Sequence, residues 1–600
     1  MRRASASGLN GRVITPKALI TAAAATAVAI TAAPALGAPT PVPTSGAAAG
    51  KLTRIVPGIT YQTMTRPGPQ RLHVVSFTYN VLTRMAPAQA SGSLTRRATI
   101  EDGMASRLAQ GATAGINGDF FSLSNGTPSG VLSVGPELLA SPEPTRSSLA
   151  IAAGGWLSVG TLSLDSRYRR IDPTTGAKGA KRIVRAVNRP LASTSTTGVV
   201  VYTPSYGSAT PSEPGYEVLV ALDGGGAFPV AGTIQGTVIA QRPGGGTPIA
   251  PGQIVLSGKN LSGVTLFNEF LPGTRMEIEA SIPGIAPDGW GAIGGGPTLV
   301  QDGRAVTSSR ESFSSRQRNG RTTRSAVGQK PDGTILMVVS EGPQQGVRGY
   351  TMSEQAKMLD SLGLITAMGL DAGGSSMMAI GPNQVVPNTG SRPISDMLVA
   401  YYAGAQLSIP PDNRVTPNGD GVADTITLGA QSPVPGTTNV TVAKRGGGFS
   451  ASVLDRTGDA AYTPNTIDPR ALGMPEGPYN VTATLTPADG SPATSQKRII
   501  VVDRTLGALR VSSRGAKASR RVTAAFTLSR PARVTAQVTT STGRVVATLA
   551  RNKKMPRGRK SVTWNGRSGK NLVRAGRYYV TVTASSSLGR TALRDRVRVR

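Results

Sequence analysis

The segment Leu370-Asp371-Ala372-Gly373-Gly374-Ser375-Ser376-Met377 sets a carboxylate, two glycines and two serines directly behind an apolar run. Ile365 to Leu370, apolar except for Thr366, predicts a buried strand. Ahead of it, Thr351 through Met358-Leu359 to Leu362 predicts a short helix, with Ser353 placed to cap its start and Gly363 suited to the left-handed residue that ends it. A carboxylate at the end of a buried strand is a poor choice for a core. Glycines beside it let a ligand approach the backbone, and the N–H groups and hydroxyls can hold an anion. Taken alone, the segment also reads as a glycine-rich turn between strands.

Similar arrangements recur upstream and downstream. Gly115-Ile116-Asn117-Gly118-Asp119-Phe120-Phe121 alternates polar Asn117 and Asp119 with apolar neighbours, next to two aromatics able to wall a pocket. Ala292 to Gly303 is a glycine loop leading into a strand and a tight Asp-Gly turn. A basic segment then ends in Arg324-Ser325-Ala326-Val327-Gly328, and the apolar run Ile335 to Val339 ends in Ser340-Glu341-Gly342. Asn388-Thr389-Gly390-Ser391-Arg392-Pro393-Ile394-Ser395-Asp396 is the last of the series. Acids and arginines thus stand at strand ends, where loops on a rigid sheet commonly carry sites. Leu222-Asp223-Gly224-Gly225-Gly226 imitates the 370–377 segment but lacks the serines, and is read as a turn. The surrounding region, about 137 to 290, is β-rich and is kept within the same module.

In this order the segments resemble the phosphodiester glycosidase family, typified by uncovering-enzyme-like domains that act on N-acetylglucosamine-1-phosphodiesters. The matching stretches are Asn117 to Phe121, Gly294 to Gly303, Arg324 to Gly328, Glu341-Gly342, Leu370 to Met377 and Arg392, within Val56 to Tyr402. Ser325 stands where the family has Thr, Ala372 replaces a glycine, Glu341 replaces an Asp and Pro343 replaces an Arg. The resemblance implies an α+β catalytic module with extensive β-sheet. It also implies cleavage of the bond between a sugar anomeric carbon and a phosphodiester oxygen. The leaving group, a phosphate monoester, is a far weaker base than an alkoxide, so little general-acid help is needed. Charge compensation for phosphate would fall to Arg324 and Arg392, whose guanidinium groups fork onto its oxygens. Asp371 and Glu341 would be the catalytic carboxylates, and Asn117, Asp119 and Ser375 would bind substrate.

Residues 1–37 read as a signal peptide: Arg2, Arg3, Arg12 and Lys17 precede an Ala/Thr-rich apolar stretch and a plausible cleavage point before Ala38. An uncleaved anchor is the alternative, but the apolar run falls short of the roughly 20 residues of a membrane span. Residues 38–50 read as a flexible linker, and 51–404 as the glycosidase domain. Cys is absent, which excludes disulfides and thiol chemistry, and the single His73 alternates with Leu72 and Val74 as strand residues do. One histidine excludes a multi-histidine zinc site.

Beyond Tyr402 the composition shifts to two all-β Ig-like sandwiches, 405–503 and 504–600. Asn418, Asp420 and Asp424 are hard oxygen ligands at short spacing, able to hold Ca²⁺ or simply to make a turn. No cofactor is otherwise expected. The second unit, with Trp564-Asn565-Gly566-Arg567, resembles the Ig-like sandwich of flagellar hook-capping proteins, Trp564 serving as core. Residues 504–600 hold 24 Lys/Arg against Asp595 alone, a net of +23 out of the chain's +33. Such a concentration marks an anionic partner, or else a solvated surface. Export favours a phosphate-bearing or carbohydrate cell-wall polymer over nucleic acid, with no obligate protein partner. Two functions are therefore expected in competition: a secreted hydrolase of a sugar-1-phosphodiester, extracellular or wall-associated, and a non-catalytic anionic-glycan binder on a decayed module.

Overall fold

A computed structural model describes residues 48–50, 52–190, 198–225, 227–307, 311–344, 346–386, 392–410, 413–419, 421, 423–512 and 521–599. The signal peptide expected at 1–37 lies outside the described residues, as do positions 38–47 of the linker, Asn388 to Ser391, Asp420 and Gly226. Residues 48–50, expected within the linker, belong to the sheet. Ala48 and Ala49 pair with Thr65 and Met64, and the Gly50 N–H bonds to the Thr63 carbonyl.

Ile335–Ser340 lies between Gln70–Phe77 and Arg324–Gln329 within a nine-stranded sheet. All six of its residues are buried. An unbroken apolar run, rather than an alternation, is what a strand with a core on each face requires. Met337 and Val339 face the core shared with a five-stranded sheet built from Ala112–Asn117, Asp396–Tyr402 and neighbouring strands. Leu336 and Val338 face the opposite core, beneath the helix Met352–Asp360. Each fully buried Val, Leu or Ile contributes about 1.5–3 kcal/mol from leaving water, so this strand anchors both layers.

The strand Thr366–Gly369 adjoins Arg324–Gln329, and the helix expected before it runs Met352–Asp360. Thr351 caps that helix, not Ser353. Its hydroxyl accepts from the Glu354 N–H while the Glu354 side chain returns to the Thr351 N–H. Thr351-x-x-Glu354 offers both halves of a capping box, which Ser353 cannot. Gly363 is left-handed, with φ +81°.

The module is mostly β-sheet, with the extensive sheet that was expected of it. Among the described residues its helices are Ile100–Ala105, Asn260–Glu269, Ser315–Asn319 and Met352–Asp360, the longest ten residues. The region between the glycine landmarks closes seven strands, from Asp165–Ile171 to Arg275–Ser281, into a barrel with its own core around Val218, Val220, Leu256 and Ile278. Asp223 lies at the barrel's rim, where Arg275 binds both its oxygens at 2.8 and 2.6 Å. That segment is a turn.

Two β-sandwiches follow. The first packs the strands Gln406–Ser408, Ile426–Ser432 and Ala461–Ile467 on a five-stranded sheet that includes Gly436–Lys444 and Gly477–Pro487. The second sets three strands against four around Trp564, which is 1% exposed. At their junction Arg414 donates to both the Asp503 carboxylate and the Leu588 carbonyl, each at 2.7 Å. Among the described residues no helix is long and apolar enough to cross a membrane.

Candidate active site

Strand alternation sorts the site residues onto two faces of the nine-stranded sheet. Ala326 packs with the helix-side core and Val327 with the opposite one, so Arg324 points toward the helices and Ser325 away from them. Ala367 and Met368 divide likewise in the next strand, which brings Asp371 to the helix side. There a cavity of about 330 Å³ is lined by Asp371, Arg316, Arg321, Arg324, Phe120 and Phe313, among others. This is the concavity that the sequence landmarks build.

The Asp371 carboxylate accepts from the Ala372 N–H at 2.8 Å, and its own N–H bonds to the Gly118 carbonyl at 3.0 Å. Burial raises its pKa. The Ser375 hydroxyl, the Ala372 N–H and the charges of Arg392 and Arg146 act against that rise. Ser375 is itself buried and receives the exposed Arg392 at 3.5 Å.

Two further carboxylates stand behind Asp371. Asp119 accepts from the N–H groups of Phe120 and Gly130 at 2.7 and 2.6 Å, and its N–H donates to Asp396 at 2.7 Å. Burial lifts Asp119 from 3.8 to about 7; Arg146 and the two N–H groups oppose the shift and Asp371 adds to it. Asp396 is raised well above the ordinary carboxylate range by burial and by the charge of Asp119. Its second oxygen is buried without a hydrogen-bond partner. Glycine is required where the backbone meets these groups. A Cβ on Gly118 would lie 2.1 Å from an Asp396 oxygen, and one on Gly294 2.4 Å from an Asp119 oxygen.

Several expected roles change. Asn117 is fully buried, and its side chain is used within the protein. Its Nδ2 donates to the Asp371 carbonyl at 2.9 Å, and its Oδ1 accepts from Ser325 Oγ at 2.6 Å and the Met377 N–H at 3.0 Å. It is a brace across three strands rather than a substrate contact. Asp119 likewise spends both oxygens on backbone and does not line the cavity. Arg324 borders the cavity, yet its Nε holds the Tyr350 carbonyl at 2.7 Å and its Nη2 the carbonyls of Gln317 and Gly320 at 2.8 and 2.9 Å. Burial lowers its pKa to about 10, with Glu354 opposing. Those contacts tie the cavity wall together.

Glu341 is not beside Asp371. One residue past its strand, it follows Val339 toward the inter-sheet core and is 0% exposed. There it meets His73 Nε2 at 2.9 Å, Arg71 at 3.4 Å and the Gln344 amide. His73 Nδ1 lies 2.7 Å from the Tyr61 hydroxyl. Burial lowers the His73 pKa, and a neutral ring protonated on Nε2 satisfies both neighbours: it donates to Glu341 and accepts from Tyr61. Glu341 is the anchor of this chain, not a second carboxylate in the cavity.

Arg146 and Asp396 received no role from the sequence. The Arg146 guanidinium lies 4.2 Å from the Phe120 ring centroid and 5.1 Å from that of Phe313, and its Nη2 is buried without a hydrogen-bond partner. Asp396 closed a segment that was noticed for Arg392. Arg146 stood in none, although Phe120-Phe121 offered rings for a cation to stack on.

The calcium reading of Asn418, Asp420 and Asp424 is not carried by the described residues. Asp424 accepts from the N–H groups of Gly419 and Gly421 and from Arg470, at 2.7, 2.8 and 3.0 Å, and Asn418 donates to the Leu506 carbonyl at 3.2 Å. The Asp424 charge is met by a guanidinium. Asp420 is outside the described residues, and among those described no group of three His, Cys, Asp or Glu could hold a metal ion.

Residues 219–401 match the phosphodiester glycosidase family, and 511–587 match the FlgD Ig-like domain family. Asp371, Asp396 and Arg324 fall inside the first match, while Asn117, Asp119 and Arg146 precede it. Among solved structures, a hypothetical protein from Synechocystis aligns at 22% identity and TM-score 0.49, over 59% of this chain and 63% of that protein. A putative exported protein from Burkholderia pseudomallei aligns at 22% identity and TM-score 0.44, over 56% and 74%. The catalytic domain of zebrafish N-acetylglucosamine-1-phosphodiester alpha-N-acetylglucosaminidase, auto-inhibited by its pro-peptide, aligns at 13% identity and TM-score 0.27, over 59% and 87%. No curated protein matches the chain. The chain thus carries a phosphodiester glycosidase domain, matched at residues 219–401, and a FlgD Ig-like domain, matched at residues 511–587.

Proposed function

We propose that the chain is a secreted hydrolase that cleaves the glycosidic C–O bond of a sugar-1-phosphodiester. The substrate class is an N-acetylglucosamine-1-phosphodiester-like linkage in a cell-wall or extracellular polysaccharide. The observation that carries this reading is the Asp371 carboxylate in a cavity of about 330 Å³ whose wall also holds Arg316, Arg321 and Arg324. A carboxylate next to cations suits a substrate that combines an electrophilic carbon with an anionic leaving group.

Asp371 takes the proton of an attacking water or attacks the anomeric carbon itself. The C–O bond breaks toward phosphate, which leaves as a monoester carrying the electron pair. Arg316, exposed on the cavity wall, compensates the phosphate charge. Arg324 keeps the cavity wall in place. The protonated form of the buried Asp119–Asp396 pair limits the negative charge behind Asp371, which keeps that carboxylate ionisable. The replacements at Glu341 and Pro343 fall outside the residues lining the cavity.

The test is turnover of N-acetylglucosamine-1-phosphate esterified to p-nitrophenol. A phosphatase in the assay frees colour from the p-nitrophenyl phosphate made by glycosidic cleavage. Phosphatase-dependent colour is the expected result. Binding without turnover would instead support the non-catalytic glycan binder.

A further inference from the structure

We infer that the outer face of the last sheet is a docking surface for a linear, base-free polymer of phosphodiesters. The face belongs to the four-stranded sheet of the second sandwich, ordered Val545–Met555, Ala532–Thr540, Gly576–Ser586, Gly589–Val599. Val534, Val580, Val582, Leu593 and Val597 fill the core, so alternate residues face outward. Along the edge strand these are Arg590, Arg594, Arg596 and Arg598, all exposed. Residues two apart on a strand are about 6.6–6.8 Å apart, so Arg594, Arg596 and Arg598 form an evenly spaced row of guanidinium forks.

The row is not balanced from within. Asp595 is the sole acid between 504 and 600, and its carboxylate accepts from the Val511 N–H at 3.2 Å, away from the outward arginines. Arg577 lies directly opposite Arg598, and Arg533 directly opposite Lys554. Like charges opposed across strands destabilise a sheet, and a bound anion would relieve both pairs. Among the described residues no ion pair involves Arg533, Lys554, Arg577, Arg590, Arg594, Arg596 or Arg598. The preceding sandwich has the same general architecture with a different balance: seven Lys/Arg against nine Asp/Glu over 405–503, a net of −2. The charge is therefore not a general demand of such a sandwich in this chain.

A phosphate polymer is favoured over nucleic acid by what the face lacks. Single-stranded nucleic acid is held by aromatic platforms on which bases stack. The outward aromatic here is Tyr579, and the Arg594 guanidinium already covers its ring at 3.8 Å from the centroid. Arginine forks suit phosphate oxygens, and this face adds no open ring on which a base could stack.

The experiment uses the full chain and immobilised poly(glycerol phosphate), with a single-stranded oligonucleotide of equal charge as second probe, across a salt series. Arg594→Gln, Arg596→Gln and Arg598→Gln are combined in one variant. A control variant removes the same charge elsewhere on the domain, at the exposed Arg557, Arg559 and Arg567. The row variant should bind poly(glycerol phosphate) at least about tenfold more weakly, and its slope of log affinity against log salt should fall by about 2, three phosphate contacts being lost. The control should change binding less than threefold, and both should turn over the small soluble phosphodiester like the parent. Equal losses in the two variants would reduce the effect to net charge and overturn the proposal, as would unchanged binding in the row variant. Tighter binding of the oligonucleotide would assign the face to nucleic acid instead. Because binding is read without turnover, these results stand apart from the hydrolase reading.

Discussion

Asp371 and Glu341 end strands of one sheet, separated only by the strand Arg324–Gln329, yet they occupy different chemical worlds. Asp371 reaches the helix-side cavity, among arginines. Glu341 turns to the inter-sheet core and is consumed by His73, Arg71 and Gln344. The difference follows from a two-residue period: a shift of one position at a strand end moves a carboxylate from a site to a scaffold. Spacing in sequence and position along a sheet edge are therefore insufficient to pair two catalytic carboxylates. The face must also be known.

The largest expected effect separates the two acids. Asp371→Asn keeps the shape and removes the charge, and initial rates should fall by at least about 10²–10⁴-fold, the range for a positioned acid or base. Thermal unfolding should show an intact fold. Activity within tenfold of the parent would place the chemistry elsewhere.

Arg316→Gln, at the cavity wall, comes next. Loss of one charge-assisted contact costs about 1.5–3 kcal/mol, so kcat/KM should fall roughly 10- to 100-fold. An unchanged kcat/KM would return phosphate binding to Arg324 or Arg392. Asn117→Ala probes the brace behind both regions. With Ser325, the Met377 N–H and the Asp371 carbonyl each losing a partner, stability should drop by about 2–3 kcal/mol in denaturant unfolding, with activity lost in proportion to misplaced Asp371.

Glu341→Gln should give the smallest change in turnover, within about threefold. Its mark should be on stability, with about 1–3 kcal/mol lost as His73 and Gln344 lose a charged partner. Arg71, whose side chain is 49% exposed, adds little. A rate loss matching that of Asp371→Asn would collapse the distinction between the two carboxylates.

The pH dependence sharpens it further. Asp119 binds its proton more tightly in the fold than in the unfolded chain, so the stability it contributes is full below its ordinary 3.8 and is lost as pH rises toward about 7. Asp119→Asn should flatten that decline in unfolding measurements between pH 4 and 7 on the scale of those two values. A slope equal to the parent's would mean that Asp119 is ionised throughout. Turnover should move the other way, rising with pH as Asp371 loses its proton above the ordinary carboxylate range.

Much of this was legible in the residues. Leu370 to Met377 marks the end of a strand that borders a cavity, and Trp564 and the turn at Asp223 lie where their residues place them. Local rules sufficed because each rested on its own few residues. The inter-strand relations were not legible. Asn117 reads as a ligand until Ser325, Met377 and Asp371 are seen around it, 208, 260 and 254 residues away in sequence. Arg146 has no motif because its place is set by the rings of Phe120 and Phe313, which other segments bring to it. The helix cap was legible and misread, since Thr351-x-x-Glu354 was present beside the Ser353 that was preferred.

The most direct measurement of the central claim is the position of the bond that breaks. Hydrolysis of the N-acetylglucosamine-1-phosphodiester in ¹⁸O-labelled water, with mass spectrometry of both products, reports which atom receives the oxygen. The account predicts label on the sugar's anomeric hydroxyl and none on phosphate, in the parent and in Glu341→Gln, with no turnover in Asp371→Asn. Label on the phosphate would show P–O cleavage and contradict it.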